Sequence, residues 1–276
     1  MNRKKKRLII SLIITALLFI FIISPLFPYV RSLAVMSVYS RLCAKNSLME
    51  SENFSLNIPS GEGWYPFVMT FTADSAFSAY TNNPGTKLTI LYNFPAFSLR
   101  KGCSMLFDKA SPYYSSFYGA YLIQCPDGAP FAFSPDTLEL DSDSVAEVAR
   151  FDFFSLVLGD FGLSDTKQVF DYSVSSRKTD LTFAGIGGWT RITSDIAVNG
   201  AAHKKEGFVS SYLQYGPPNF PVDADFLPVI MKGIVYGKYF EEWNTSVFFY
   251  VMSPSEEICK ECERTILSKS TFQIGK

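Results

Sequence analysis

The alternation of apolar and polar residues along the chain predicts a domain built mainly from β-strands. A period of two, with apolar side chains at every second position, recurs over residues 54–58, 67–72, 88–94 and 117–123. Successive side chains of a strand point to opposite faces of its sheet, so this period indicates strands. Asn83-Pro84-Gly85-Thr86 places Pro and Gly at the central positions of a type II turn. The first part of the domain is therefore predicted to be an antiparallel meander.

The same period returns in the second half of the chain. Asn199-Gly200 is a strong hairpin signal because both residues tolerate positive φ, and it predicts a return strand over 208–215. The glycine cluster at 185–188 predicts a bend or a bulge. The other strands predicted in this half are 169–174, 181–186, 189–198, 229–240 and 246–252.

Two helices are predicted from capping patterns. Ser144 and Glu147 form a capping box, which predicts a helix from Ser144 to about Leu158 that stops at Gly159. Ser253-Pro254-Ser255-Glu256 predicts a second helix, capped by Ser253. In that helix an apolar stripe is formed by Ile258, Cys262 and Ile266. The fold class is therefore α+β, a predominantly antiparallel sheet with flanking helices. We expect one domain, with a division near residues 135–145 as the alternative.

The first thirty residues predict a membrane-spanning helix. Leu8–Ile23 contains no charge, and the apolar stretch continues to Val30. About 20 residues of helix cross the hydrocarbon layer, so residues 8–30 are long enough for a transmembrane signal anchor. A cleaved signal is the alternative, but its nearest small-x-small site, Ser32-Leu33-Ala34, lies well beyond Ile23.

Charge predicts the orientation of that anchor. Five cations, Arg3 to Arg7, precede it, and positive residues favour the cytoplasmic side. We therefore expect a cytoplasmic basic tail over 1–7, a bilayer contact through 8–30, a helical stalk over 31–50 and an extracytoplasmic α+β domain over 51–276. The predicted location is the cell membrane, with secretion after signal cleavage as the alternative.

The composition limits the classes of partner that the exported domain can bind. Removing the five N-terminal cations leaves 25 − 5 = 20 basic against 26 acidic residues, a net charge of about −6. Nucleic acid requires a basic face, so we expect no nucleic-acid partner and consider another envelope protein or a polysaccharide instead.

The cysteine and histidine residues give little indication of a redox, metal or catalytic site. Cys103 and Cys125 are the pair for which we predict a disulfide. Cys259 and Cys262 form a CxxC motif, but it lies inside a helix among glutamates that oppose a thiolate, so a core role is favoured over a redox or zinc site. His203 is the sole histidine and follows a turn. We expect no cofactor and no metal.

Two carboxylate pairs, Asp141/Asp143 and Asp223/Asp225, could bind Ca²⁺ or divide acid and nucleophile roles in a glycosidase. Asp141 and Asp143 precede a helix, where negative charge is favourable in any case. A structural role is therefore preferred for both pairs.

The most unusual stretch is Ser111–Tyr121, which crowds five rings into nine positions. Exposed rings can stack on sugars or contact a partner, whereas a buried strand would use the same rings as core. The residues proposed for a ligand or partner surface are Tyr113, Tyr114, Phe117, Tyr118 and Tyr121.

The two ends of the domain resemble PsbP-like domains. The first end is the segment from Asn53 to Trp64, and the second comprises the strand Val247–Met252, the capped helix and Ser270-Thr-Phe272. This resemblance covers about 50 residues and implies an antiparallel sheet with flanking helices that acts by binding, and it carries over no functional residue. We therefore expect a membrane-anchored binding or scaffolding protein of the cell envelope. A glycan-directed, carboxylate-dependent extracytoplasmic hydrolase is the alternative.

Overall fold

The structure, a computed structural model, describes residues 3–24, 26–100, 103–157, 168–199 and 227–274. Its helices are α1 (Arg3–Ile23), α2 (Leu26–Ala44), α3 (Leu48–Ser51), α4 (Asp74–Tyr80), α5 (Ser142–Phe151) and α6 (Glu256–Thr265). Its strands are β1 (Phe54–Asn57), β2 (Met69–Thr72), β3 (Lys87–Asn93), β4 (Phe97–Ser98), β5 (Cys103–Ser104), β6 (Phe117–Gln124), β7 (Phe170–Phe183), β8 (Ile186–Val198), β9 (Val229–Phe240), β10 (Thr245–Ser253) and β11 (Thr271–Ile274).

A seven-stranded antiparallel sheet forms the centre of the fold, in the order β2-β3-β6-β10-β9-β8-β7. The predicted α+β class with a predominantly antiparallel sheet and flanking helices is confirmed. The sheet includes strands from both sides of residues 135–145, because β6 pairs with β10. β1 and β11 form a separate two-stranded pair that joins the two ends of the domain.

Both faces of the sheet are covered, which explains the composition of its central strand. All nine residues of β10 are buried, so this strand has no alternation of polar and apolar side chains. On one face, residues such as Tyr121 and Val235 pack under α4 and α5. On the other face, residues such as Trp189 and Phe249 pack under α6 and β1. The high aromatic content therefore fills two layers of core.

Several predicted boundaries differ from those observed. The predicted strands 169–174 and 181–186 lie largely in one continuous strand, β7. Two strands were predicted because the exposed middle of β7 is polar and interrupts the alternation of apolar residues. The bend predicted at 185–188 is found as the turn to β8 at Ala184-Gly185, with both residues at positive φ. The register also shifts between the pairs Phe183/Ile186 and Leu181/Trp189, which leaves one extra residue on β8 in the predicted stretch, as in a β-bulge. The predicted return strand 208–215 lies outside the described residues, and β8 pairs instead with β7 and β9.

The caps of two helices also differ. α5 begins at Ser142, because the Asp141 side chain accepts hydrogen bonds from the backbone amides of Asp143 and Ser144. α5 ends at Phe151 and continues as a π-helical turn over Asp152–Val157. α6 is capped by Ser255, which accepts from the Ile258 amide, and not by Ser253.

The apolar N-terminal segment is divided differently from the prediction. α1 ends at Ile23 and residues 26–30 belong to α2, so the stretch 8–30 predicted as one span is divided between two helices. α1 is long and apolar enough to cross a bilayer, and none of its residues is buried. The segment predicted as a stalk over 31–50 is helical and packs on the sheet edge: the Ser40 hydroxyl accepts a hydrogen bond from the Thr70 amide of β2 at 2.8 Å.

Candidate functional site

A cleft of about 270 Å³ lies between the loop that precedes β2, the Tyr113 side chain and α6. Its lining combines apolar groups with carboxylates, hydroxyls and one ammonium group. The lining residues are Ser60, Gly61, Glu62, Trp64, Tyr113, Ile258, Glu261, Cys262, Thr265, Ile266 and Lys269. Pockets for small ligands are typically about 300–1,000 Å³, so this cleft suits a single small group rather than a large ligand.

The floor of the cleft is held by hydrogen bonds to the backbone of residues 59–65. The Ser60 hydroxyl donates to the Tyr65 carbonyl at 2.5 Å, and the Tyr118 hydroxyl donates to the Pro59 carbonyl at 2.9 Å. Asn93 ties these groups together, since its amide donates to the Tyr118 hydroxyl at 2.8 Å and to the Tyr65 carbonyl at 3.2 Å. The loop is therefore fixed before any ligand arrives.

Two glycines allow this loop to approach its neighbours closely. A Cβ at Gly63 would lie 2.6 Å from the Tyr113 ring, and Gly63 also has φ of +81°, which other residues rarely adopt. A Cβ at Gly61 would lie 2.7 Å from Ile266. The Trp64 ring meets the rings of Tyr113 and Tyr118 edge-on, at centroid distances of 5.4 and 4.7 Å. These contacts set the position of Tyr113 in the wall.

The second wall, α6, is fixed to the sheet by a partly buried ion pair. Arg191 on β8 donates two hydrogen bonds to the Glu263 carboxylate, at 2.6 and 3.0 Å. The Tyr236 hydroxyl donates to the same carboxylate at 2.6 Å. Burial opposes ionisation of Glu263, but these hydrogen bonds outweigh it and lower its pKa. Because the Glu263 contacts anchor α6, they place Glu261 and Thr265 at the cleft.

The electrostatics of the cleft favour a cationic or hydroxyl-rich ligand. Glu62, Glu261 and Lys269 supply two negative charges and one positive charge, and all three residues are exposed. Burial raises the pKa of Tyr113, and the nearby charges of Glu261 and Glu62 raise it further. The tyrosine therefore stays protonated and can donate a hydrogen bond beside two carboxylate acceptors.

The aromatic stretch is divided between core and cleft. Phe117, Tyr118 and Tyr121 are fully buried in β6, so burial removes these three from the proposed surface. Tyr113 lines the cleft, and Tyr114 is partly buried beside it in sequence. The interpretation of this stretch as buried core therefore holds for the residues in β6. One of the five rings, that of Tyr113, lines the candidate site.

The predicted disulfide is opposed by the strand register. Gln124, which precedes Cys125, pairs with Lys87 at one end of β3, and Asn93 at the other end pairs with Tyr118. Cys103 lies beyond that second end, because the adjacent Ser104 hydroxyl donates to the Pro95 carbonyl. Six residues of strand span roughly 20 Å at ~3.3 Å per residue, whereas a disulfide requires Cα atoms within about 7 Å.

The remaining candidates for chemistry fall into two groups. Cys259 and Cys262 are buried, and burial raises the pKa of Cys259 to about 12 and that of Cys262 well above its usual range, which opposes thiolate chemistry. Asp141 serves as the cap of α5. His203 and the Asp223/Asp225 pair lie outside the described residues.

The structure also contains a buried carboxyl that the sequence analysis missed. Asp152 opens the π-helical turn and is fully buried near the hydroxyls of Tyr121, Tyr250 and Tyr92. Among the described residues, neither of its oxygens has a hydrogen-bond partner. Burial raises the pKa of Asp152 to about 7. The available signal was one charged residue inside the apolar run Phe151-Asp-Phe-Phe154.

Comparisons of this chain with protein-family models, with curated proteins and with solved structures give no match. The resemblance to PsbP-like domains therefore stays a prediction. The two segments that carry it do meet in space, since β1 pairs with β11 along four residues.

Proposed function

We propose that this protein is a single-pass, membrane-anchored binding or scaffolding protein of the cell envelope, with its domain on the extracytoplasmic side. One observation carries the proposal: a cleft with two fixed walls is built on a domain that follows an exposed, apolar helix long enough to span a bilayer. The cations of Arg3 to Arg7 support a cytoplasmic N-terminus by the positive-inside rule.

The chemistry of the cleft suggests which part of a partner it holds. Glu62 and Glu261 can accept hydrogen bonds, Tyr113 can donate one, and Ile258 and Ile266 add apolar groups on the α6 side. A basic side chain of another envelope protein, or one sugar ring of a polysaccharide, matches this combination in charge and size. Because the hydrogen bonds of Asn93 and Tyr118 already hold the loop, little ordering entropy is lost when a ligand binds.

Recovery of partners from native membranes tests this function. The full chain is purified from mild-detergent extracts as wild type, as the Glu62→Gln, Glu261→Gln double variant, and as Glu139→Gln, whose exposed carboxylate lies outside the cleft. We expect a co-purifying protein or glycan with the wild type and Glu139→Gln, and its loss with the double variant. Recovery of the same material with all three proteins would contradict binding through the cleft.

A second function is favoured by one observation, the presence of Glu62 and Glu261 in the same cleft. Two carboxylates can share acid and nucleophile roles in glycoside hydrolysis. An extracytoplasmic hydrolase acting on glycans would release reducing ends from purified cell-wall polysaccharide, and Glu62→Gln and Glu261→Gln would each abolish that release. If the wild-type protein releases none while still retaining the polysaccharide, binding is the function and hydrolysis is rejected.

A further inference from the structure

The helix that follows the apolar α1 has two different sides, and its inner side is fixed to the domain. The Ser32 hydroxyl lies 3.0 Å from the Tyr65 hydroxyl, and the Ser40 hydroxyl accepts from the Thr70 amide at 2.8 Å. Between them, Met36 is buried in the core. Because these contacts fix the rotation of α2 about its own axis, its opposite side is directed away from the domain.

The opposite side of α2 is an unbroken apolar surface, here called the outer stripe. Its residues follow one another at four-residue steps, which keeps them on one side of a helix. They are Leu26, Val30, Ala34, Val38 and Leu42. All five are exposed, the four larger ones by between 46% and 59%. Isolated exposed apolar residues are common, whereas contiguous surfaces indicate an interaction site.

The outer stripe is continuous with the apolar surface of α1. Ser24 lies between the two helices: its hydroxyl donates to the Phe21 carbonyl at 2.7 Å and accepts from the Leu26 amide at 3.3 Å. The Phe21 and Phe27 rings also touch, edge to face, across this junction. The chain therefore passes from the candidate span directly onto the outer stripe, with no polar linker between them.

The charges around the outer stripe complement phosphate. The exposed Arg41 and Lys45 accompany it, and no Asp or Glu precedes Glu50. Counting these two with the five N-terminal cations leaves 25 − 7 = 18 basic against 26 acidic residues in the remainder, a net charge of −8. Arg41 follows Val38 by three residues, so its long side chain can reach headgroups while Val38 faces acyl chains.

We propose that the outer stripe of α2 lies in the lipid interface, with the exposed Arg41 and Lys45 on anionic headgroup phosphates. Apolar helices flanked by cations bind in the plane of a bilayer in this way. A second copy of the chain is a poorer occupant, because a two-fold contact through this side would bring the cations near their own copies with no acidic residue on α2 to offset them. The proposal rests on membrane anchoring by α1 but not on the cleft. Its consequence is that α2 fixes the orientation of the domain on the membrane.

Photo-crosslinking of the full chain tests this contact. A photoreactive phenylalanine analogue replaces Val38 in the outer stripe, Leu17 in α1 as the control for anchoring, or the exposed Ser268 as the control for the rest of the domain. Each protein is reconstituted in vesicles of phosphatidylcholine and phosphatidylglycerol in equal parts, and the adducts are identified by mass spectrometry.

We expect lipid adducts at Val38 and Leu17 and none at Ser268. Loss of the exposed Arg41 and Lys45, as Arg41→Gln, Lys45→Gln, should remove any preference of the Val38 adducts for phosphatidylglycerol. Lipid adducts at Leu17 with none at Val38 would overturn the proposal while leaving anchoring intact. Adducts of Val38 with a second copy, or with another segment of the same chain, would overturn it as well. Absence of lipid adducts at Leu17 would instead contradict the anchoring.

Discussion

At the scale of single residues, Asp152 is a fully buried carboxyl whose surroundings oppose its ionisation. The sheet hydroxyls near it belong to Tyr92, Tyr121 and Tyr250, and none of the three carries charge at neutral pH. The Tyr121 and Tyr250 rings stack at 4.8 Å and border a cavity of about 20 Å³, close to the volume needed for one water. Burying an unpaired carboxylate costs several kcal/mol, so the protonated carboxyl is the form that this site accepts.

The pKa of Asp152 predicts a pH-dependent stability. Its folded pKa of about 7 lies above the ordinary 3.8, so the folded state holds the proton more tightly than the unfolded state. The stabilisation of the fold by this proton is complete below pH 3.8 and is lost as pH rises through 7. The total loss in the free energy of unfolding is roughly 4 kcal/mol. We expect Asp152→Asn to remove this loss, so that the variant gains stability relative to wild type as pH rises from 4 to 7.

Chemical denaturation in detergent at several pH values measures this effect. Asp136→Asn, at an exposed carboxylate, is the control and should follow the wild-type profile. Parallel profiles for Asp152→Asn and the wild type would show that Asp152 ionises in the fold without penalty.

Gly63 allows the close approach of the loop to Tyr113 in the cleft. In Gly63→Ala the new Cβ would meet the Tyr113 ring at 2.6 Å, in a backbone conformation with φ of +81°. Strain of this kind costs about 1–3 kcal/mol, and moving Tyr113 away would open the wall. We expect a lower free energy of unfolding and weaker partner recovery. Gly187→Ala is the matched control, since no atom lies within 4 Å of its Cβ, and equal losses in both variants would exclude the steric explanation.

At the scale of elements, the two edges of the sheet are treated differently. The β2 edge is covered by α2, whose Ser40 hydroxyl takes one of its backbone amides. β7, at the other end of the sheet, is interrupted by register shifts at Val174/Ser176 and Lys178/Leu181 and exposes charged side chains. Bulges and charges at an edge discourage pairing with other chains.

The position of α6 depends on Glu263, which leads to a third prediction about stability. Glu263→Gln keeps the shape but removes the charge that Arg191 and Tyr236 contact, and hydrogen bonds to charged groups contribute about 1.5–3 kcal/mol. We expect a loss of about 2 kcal/mol at neutral pH. Because the pKa of Glu263 is lowered in the fold, this contribution is present above its ordinary value of 4.5 and is lost as pH falls below it.

Glu256→Gln provides the control on the same helix. Glu256 forms an exposed ion pair with Lys260 at 2.6 Å, and exposed pairs add little. Urea denaturation should therefore separate the two variants clearly. Equal effects would mean that α6 is held by its apolar side alone.

How much the sequence could predict depends on whether the signal is local. β9 is found over the predicted residues, Val229–Phe240. A long strand beside a tight turn can be predicted because the signal lies in its own residues. The cap of α5 was misplaced because Asp141 and Ser144 are both good caps, and only the packing of the helix selects between them. The cleft could not be predicted, since Glu62 and Glu261 are brought together by the sheet rather than by spacing. The Gly-Glu-Gly-Trp stretch was its one local signal.

At the scale of the whole molecule, α1 is exposed and apolar, whereas the domain has its apolar residues inside. Every described residue from Leu8 to Ile20 is exposed, while the domain buries its apolar residues in two layers. An apolar surface of this length is not stable in water, so we expect the full chain to remain in the membrane pellet after alkaline carbonate extraction. Ile13→Arg with Leu17→Arg should reduce the membrane-bound fraction, because each Arg costs about 2.5–3.5 kcal/mol at the centre of a span. Leu99→Arg, at an exposed leucine of the domain, is the matched control and should leave that fraction unchanged.

Protease accessibility then determines on which side of the membrane the domain lies. The five basic residues at the start of α1 outnumber Arg31 and Arg41 after it, which favours a domain outside the cytoplasm. Protease added to intact cells or spheroplasts should therefore remove a C-terminal epitope and spare an N-terminal one, and lysis should expose both. Protection of the C-terminal epitope until lysis would reverse the orientation. A purified chain whose mass lacks the first thirty residues would instead show that the apolar segment is cleaved, and the domain would then depend on the outer stripe of α2 to stay at the membrane.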